Sequence, residues 1–420
     1  MAEVFLERKL EKTLAKCLNR KEIIGIRGPR QSGKTTLLKK IEQELKGNKS
    51  FINLDIPENR HALEENPVDF VKRFKGPNEN LFLFLDEIQK VRGAGQKLKI
   101  IFDEFPQVKT FFSGSSSLEI KSEVLPPLVG RLFLFELLSF DFEEFLKAKD
   151  KGLASLFSEK HASLQNFLES KGEISPPSFE DDFLKYWKEF SVFGGYPEVI
   201  KSQNFEEKTL ILKNIYNLYL EKDIASFFRI EDTSKFEGLL RVLSFNVSKP
   251  FSLSSTASDL KTTYNKIESF LSILKHTYII HLLEPFHKNR ITELKKAQKV
   301  FFLDLGLRNA AINNFSGFDS RADNAMLLEN FVFRELFSNF GNWKLNYWRT
   351  TGKAEVDFVL SREKEIVPIE VKMSGEKIGK SFYSFLQAYQ PKRAIIVTLN
   401  KFKKQEINGT TLYWVPAFYF

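Results

Sequence analysis

Between residues 23 and 45 the chain reads Ile23-Ile24-Gly25-Ile26-Arg27, then Gly28-Pro29-Arg30-Gln31-Ser32-Gly33-Lys34-Thr35-Thr36, then a helical stretch to Leu45. A short apolar strand, a glycine-bounded loop and a helix in that order leave few folds open. The loop matches G-x-x-x-x-G-K-[ST] with the strand before it and the helix after it that the motif requires. Gly28 and Gly33 allow the backbone to curl until successive N–H groups converge on phosphate oxygens. Pro29, Arg30, Gln31 and Ser32 form the crest, Lys34 reaches the β and γ phosphates, and Thr35 offers a hydroxyl to magnesium, with Thr36 beside it. The helix beginning near Lys34 points its positive end at the same anion. ATP and Mg2+ are the ligands this predicts.

The strands that follow fit a parallel sheet. Ser50–Asp55, Asn80–Leu85 and Thr110–Ser113 are short apolar runs separated by helical stretches, and near-continuous apolar strands indicate a sheet buried on both faces. The run Leu81-Phe82-Leu83-Phe84-Leu85 ends in Asp86-Glu87. Beside the phosphate loop, Asp86 would hold magnesium and Glu87 would polarise the attacking water. The third strand ends at Gly114-Ser115-Ser116-Ser117, where Ser115 either touches the γ phosphate or the lytic water, or belongs to a Ser-rich turn. Arg131, after Val129-Gly130, is either an arginine supplied in cis or in trans to transition-state charge, or a surface ion-pair partner.

Beyond about Phe142 the pattern turns helical, broken by the polar SKGEISPPSFEDD at 170–182. From Phe236 to Pro285 it reads helix, short helix, helix and strand, with Ile267, Phe270, Leu271 and Leu274 at helical spacing in the third helix. Strand-like Tyr278–Leu283 and Lys299–Leu303 flank the basic HKNRITELKK, the outline of a winged helix. Thr263, Tyr264, Lys266 and Lys275 near the third helix, and His287, Lys288, Arg290, Lys295 and Lys296 on the ribbon, suit phosphate contacts or a solvated docking face.

The last stretch is a second α/β region. It holds a helix at Asn324–Phe340, strands at Lys344–Arg349, Glu355–Leu360, Ile366–Lys372 and Arg393–Leu399, and a helix near Lys380–Tyr389. Asp357 and Glu370 lie thirteen residues apart on successive strands. A hairpin brings them together, with Lys372 on the face of Glu370 by the two-residue alternation of strands. Two carboxylates, Asp357 and Glu370, can hold magnesium while the lysine orients water, and Glu329 on the preceding helix can complete the shell. This D…E-x-K pattern predicts a nuclease, or the same fold kept for packing or DNA docking.

The segments GPRQSGKTT, LFLFLDEIQKV, FFSGSSS, LVGRLFLFELLSF and FGGYPEVI, with YLEKDI, LENFVFREL, YWRTTGKAEVDFV and PIEVK further on, resemble the prokaryotic AAA-like P-loop ATPases that carry a C-terminal domain of unknown function. The likeness runs over nearly the whole chain, apart from 147–182. It implies ATP binding, a winged-helix segment and a restriction-endonuclease-like core of the PD-(D/E)XK type. The expected fold is α/β: a P-loop NTPase parallel sheet at 1–145, a helical linker at 146–235, a winged-helix segment at 236–303 and the nuclease-like α/β domain at 304–420.

Composition narrows the classes further. With 42% hydrophobic and 28% charged residues, 420 residues make a globular chain of two or three domains. The single cysteine excludes a disulfide framework and a cysteine zinc cluster, and five scattered histidines make no zinc motif. Cys17, in the stripe Leu10, Leu14, Cys17, Leu18, is expected as a helical core thiol. A charged N-terminus and the lack of an ~18-residue apolar run predict a cytoplasmic protein with no membrane partner. The net charge of +9 permits DNA as a partner, and a homo-oligomer is compatible with all of this. The expected function is a Mg-dependent ATPase acting with or on DNA. The alternatives are an ATP-gated switch with a non-catalytic C-terminal interaction domain and an ATP-regulated DNA nuclease.

Overall fold

The computed structural model describes residues 5–76, 79–115, 120, 124–221, 233–286, 297–375 and 377–420. The chain divides into two compact units, Met1–Ser139 with His276–Tyr278, and Phe140–Lys275 with Ile279–Phe420. Three of the four segments expected from sequence lie mainly in the second unit.

The first unit is built on five parallel strands, β1 (Ile23–Arg27), β2 (Lys49–Asn53), β3 (Leu81–Asp86), β4 (Val108–Gly114) and β5 (Leu132–Glu136). Their order is β2-β3-β4-β1-β5. Alternate residues of one strand enter opposite cores. Leu81, Leu83 and Leu85 of β3 join Leu98 and Ile101 of helix Ala94–Glu104, while Phe84 joins Leu37, Leu38 and Ile41 of helix Lys34–Glu44. Burial on both faces is why these strands read as unbroken apolar runs. β5 also follows that logic, yet its side chains are only partly buried because it lies at the sheet edge.

Cys17 departs from expectation. The first helix spans Lys9–Ala15, and Cys17 sits in the turn beyond it, half-buried and packed with Leu10 and Leu18 against the Ile24–Leu38 core.

In the second unit, helices Phe142–Lys149, Lys151–Leu168, Glu180–Phe193 and Phe205–Leu218 precede a three-helix group, Thr233–Phe245, Leu253–Asp259 and Tyr264–His276. Strands β6 (Ile280–Leu283) and β7 (Lys299–Phe302) then pair antiparallel. His287, Lys288, Arg290, Lys295 and Lys296 lie outside the described residues, as do the last three residues of YLEKDI. Helix Asn324–Asn339 leads into β8 (Lys344–Arg349), β9 (Glu355–Arg362), β10 (Glu365–Val371), β11 (Arg393–Thr398), β12 (Lys403–Ile407) and β13 (Thr410–Pro416). Their order is β12-β13-β11-β10-β9-β8, a mixed sheet in which β10, β11 and β13 run parallel and the outer strands antiparallel. Helix Lys380–Tyr389 connects β10 to β11 and buries Phe382, Phe385 and Leu386 on Val359, Ile396 and Trp414. No described helix is long and apolar enough to cross a membrane.

Candidate functional sites

The carboxyl ends of β1, β4 and β3 are neighbours, so the loop after β1 and the ends of the other two strands meet at one sheet edge, where open α/β sheets take ligands. The loop's shape needs its glycines. A Cβ on Gly28 would lie 2.1 Å from the Leu137 carbonyl oxygen, and Gly33 has φ of 94°. Lys34, almost fully buried, donates to the carbonyls of Gly28 (3.0 Å) and Pro29 (2.6 Å), so its ammonium lies along the inside of the loop. Thr35 Oγ1 donates to both oxygens of Asp86, at 3.0 and 2.9 Å, and Ser113 Oγ donates to Asp86 Oδ1. Two hydroxyls on one carboxylate form a hard-oxygen set of the kind magnesium takes. Ser32 Oγ is fully buried on the loop with no hydrogen-bond partner, an oxygen left for a ligand or water. The residues present therefore fit a phosphate and its metal.

Glu87 follows Asp86 in the left-handed region (φ 61°), an uncommon conformation for a residue with a side chain. Its backbone N–H donates to Ser113 Oγ (3.3 Å), and its carboxylate accepts from Ser115 Oγ (3.3 Å) and from Gln89 Nε2. Gln89 Nε2 also donates to Ser115 Oγ at 2.9 Å. The structure thus joins Ser115 to Glu87 and adds Gln89, which sequence reasoning passed over although it stands two residues from Glu87.

Arg131 is not brought to this edge. Its carbonyl accepts from Ile23 N at the start of β1, and its guanidinium pairs with Asp103 at 3.0 Å. Because β5 runs parallel to β1, Arg131 stands at the opposite strand ends, about 16 Å away for five residues of strand. A cis arginine at the phosphates is excluded by that placement.

In the second unit, the hairpin β9–β10 sets Ile369 opposite Phe358, which puts Glu370 beside Asp357. Asp357 Oδ2 accepts from Val371 N at 2.8 Å. Lys372 Nζ donates to the Lys377 carbonyl (2.8 Å), and a Cβ on Gly379 would lie within 4.0 Å of both Lys372 Nζ and Glu370 Oε1. Asp357, Glu370 and Lys372 therefore share a face.

The Glu329 assignment changes. Lys299 on β7, with its side chain 1% exposed, places Nζ 2.7 Å from Glu355, 3.2 Å from Glu329 and 3.8 Å from Asp357. Among the described residues no three His, Cys, Asp or Glu are grouped to hold a metal. Glu329 is a counter-charge to a buried lysine, and a shell of Glu329, Asp357 and Glu370 is not formed. Burial by itself would lower the Lys299 pKa, but Glu329, Asp357 and Glu355 outweigh it and hold the ammonium above its ordinary value. Burial pushes Glu329 up to about 7, with Lys299 pulling it down and Asp357 pushing it further up. Burial, then repulsion from Asp357, pushes Glu370 up to about 8. Burial also raises Asp357, against the pull of Lys299 and the Val371 N–H.

The Glu370 shift sets a stability test. The folded chain keeps a proton on Glu370 that the unfolded chain releases, so stability is fully present below about pH 4.5 and is lost as pH rises through about 8. In EDTA buffer, Glu370→Gln is expected to stabilise the chain above pH 8 by up to about 5 kcal/mol, with no gain near pH 4.5. Thermal unfolding across that range checks it; an equal Tm change at both ends would contradict it.

Residues 20–146 match the AAA domain family, residues 325–418 a domain of unknown function (DUF4143), and residues 184–317 another domain of unknown function (DUF8612). The AAA match thus covers the parallel sheet, and the DUF4143 match covers the mixed one. The uncharacterized protein MJ1544 of Methanocaldococcus jannaschii is 27% identical over 384 residues, covering 87% of this chain and 80% of that protein. The uncharacterized protein Rv2008c of Mycobacterium tuberculosis is 23% identical over 393 residues, covering 91% and 78%. The ADP form of the Aeropyrum pernix ORC2 protein aligns at 12% identity and a TM-score of 0.34, over 67% of this chain and 88% of that one. A likeness that weak fixes neither arrangement nor activity here.

Proposed function

We propose that the chain binds ATP with magnesium, hydrolyses it, and couples turnover to DNA. One observation carries the nucleotide part: Lys34 and Thr35 at the start of the helix after β1, Asp86 and Glu87 at the end of β3, and Ser113 on β4 meet at one sheet edge around a glycine-shaped loop. The loop N–H groups from Arg30 to Thr36 bind phosphate oxygens. Lys34 exchanges its carbonyl partners for those anionic oxygens, and charge-assisted hydrogen bonds of that kind are the stronger ones. Thr35 and Asp86 hold magnesium, which when bound supplies positive charge against the phosphates. Glu87 orients the attacking water and takes its proton, with Ser115 and Gln89 fixing its carboxylate. A role in turnover for Arg131, at the far strand ends, requires a second copy of the chain.

The DNA part rests on the net charge of +9 and on three helices followed by an antiparallel strand pair. Tyr264 and Lys275 stand exposed on the third helix, as a winged helix presents side chains to a duplex. A second reading, ATP-regulated DNA cleavage in a PD-(D/E)XK-like core, is favoured by the shared face of Asp357, Glu370 and Lys372.

Linear, nicked and single-stranded DNA incubated with magnesium or manganese, with and without ATP, tests that second reading. Cleavage lost in both Asp357→Ala and Lys372→Ala is the expected result for a nuclease. Intact DNA under every condition, with ATP turnover preserved, would remove cleavage and leave a C-terminal binding module.

A further inference from the structure

The nucleotide loop is held from outside by a residue far from the motif. Arg8, 6% exposed, precedes helix Lys9–Ala15 and sends its guanidinium to two backbone carbonyls: Nη1 to Ser32 at 2.8 Å and Nη2 to Leu138 at 2.7 Å. Ser32 lies at the far end of the loop crest, and Leu138 lies two residues beyond β5. Leu137, beside it, donates its N–H to Arg27 O at 2.8 Å, and its own carbonyl leaves no room for a Cβ on Gly28. The exit of β5 thus braces the first glycine of the loop, and Arg8 ties that exit to the last residues of the crest.

The peptide geometry gives this contact a functional consequence. In a trans peptide the carbonyl and the following N–H point in opposite directions, and the described chain has no cis peptide bond. Pinning the Ser32 carbonyl on Arg8 therefore fixes the Gly33 N–H, which lies in the same plane and points the opposite way. Gly33 N–H is one of the groups that make the phosphate nest. The donor is itself fixed: Arg8 N–H donates to Glu11 Oε1 at 2.8 Å, and Glu11 Oε2 pairs at 2.5 Å with Lys40 on the helix that starts at Lys34.

We propose that Arg8 is a positioning residue of the nucleotide site, which orients the Ser32–Gly33 peptide so that the loop is organised for phosphate before nucleotide arrives. This rests on the nucleotide reading above. Preorganised donors lower the cost of binding, so the loss of Arg8 falls on affinity for any nucleotide carrying a β phosphate, and less on the chemical step.

The test is titration of the full chain with ATP and with ADP in magnesium, beside steady-state turnover at saturating ATP. Arg8→Met is expected to raise Kd for both nucleotides about tenfold or more, as charged hydrogen bonds warrant, with saturated turnover within about threefold of wild type. Arg8→Lys, able to keep one carbonyl, should fall between the two, and it carries the test if Arg8→Met does not fold. Leu14→Ala removes a core side chain from the same segment and should lower Tm without moving either Kd. A folded Arg8→Met with Kd within about twofold of wild type overturns the proposal. Wild type that binds neither nucleotide overturns the nucleotide reading itself.

Discussion

Glu87→Gln is expected to lower ATP turnover at least about a hundredfold while ATP affinity stays within about threefold of wild type, because a positioned general base contributes on the order of 10² or more. The split follows from where the carboxylate sits. Its hydrogen bonds run to Ser115 and Gln89, away from the loop that grips phosphate, and the neighbouring Asp86 keeps Thr35 and Ser113. Glutamine retains the size and an oxygen acceptor but cannot take a proton. The left-handed backbone at Glu87 is uncommon for such a residue and costs about 1 kcal/mol or more, so the turn that aims this side chain is maintained against local preference. Steady-state turnover and nucleotide titration of the same preparation measure both quantities. Undiminished turnover would remove Glu87 from the reaction.

The second large effect is structural. Lys299→Met should destabilise the chain by about 3–5 kcal/mol, the usual cost of removing one partner from a buried ion pair. Methionine fills similar volume, so the loss reports charge more than cavity. Glu329, Glu355 and Asp357 would face one another without the ammonium that now lies 2.7 to 3.8 Å from each. Arg349, 3.2 Å from Glu355, compensates only one of the three. The sign with pH is fixed by Glu329, pushed up to about 7 by burial, and by Asp357, also raised by burial: both take up protons as pH falls, so the loss should be largest near pH 8 and shrink towards pH 5. Adding Glu329→Gln to Lys299→Met should recover part of the loss, since it deletes one uncompensated charge. Thermal unfolding in EDTA at both pH values checks this. A Tm unchanged by Lys299→Met would contradict the ion cluster.

The phosphate loop was legible in the sequence because its strand, turn and helix are contiguous. Ile23–Arg27 is the strand read from its apolar run, and the helix that opens at Lys34 is the one expected after Gly33. The pairing of Asp357 with Glu370 was legible too, because their thirteen-residue spacing and period-two alternation suit a hairpin; the two-residue turn at Glu363 and Lys364 came only from the structure. Strand β12, Lys-Lys-Gln-Glu-Ile, was not: an exposed edge strand has no buried face and leaves no alternation to detect. Arg131 was ambiguous because the run Leu132–Glu136 was not read as a strand of the sheet, so nothing set the residue before it at the amino ends of the strands. Lys299 was missed for the opposite reason. A lysine opening the run Lys-Val-Phe-Phe reads as a solvated strand end, and only the long-range approach of Glu329 and Glu355 makes it the centre of a cluster. Arg8 was hidden likewise, since its partners are 24 and 130 residues away.

Steady-state ATP turnover by the full chain, with and without duplex DNA and beside Lys34→Ala, bears most directly on the proposal of a DNA-coupled ATPase. Magnesium-dependent turnover that rises on adding DNA and disappears in Lys34→Ala is the predicted result. Turnover indifferent to DNA would contradict the coupling, and wild type that turns over no ATP would contradict the ATPase.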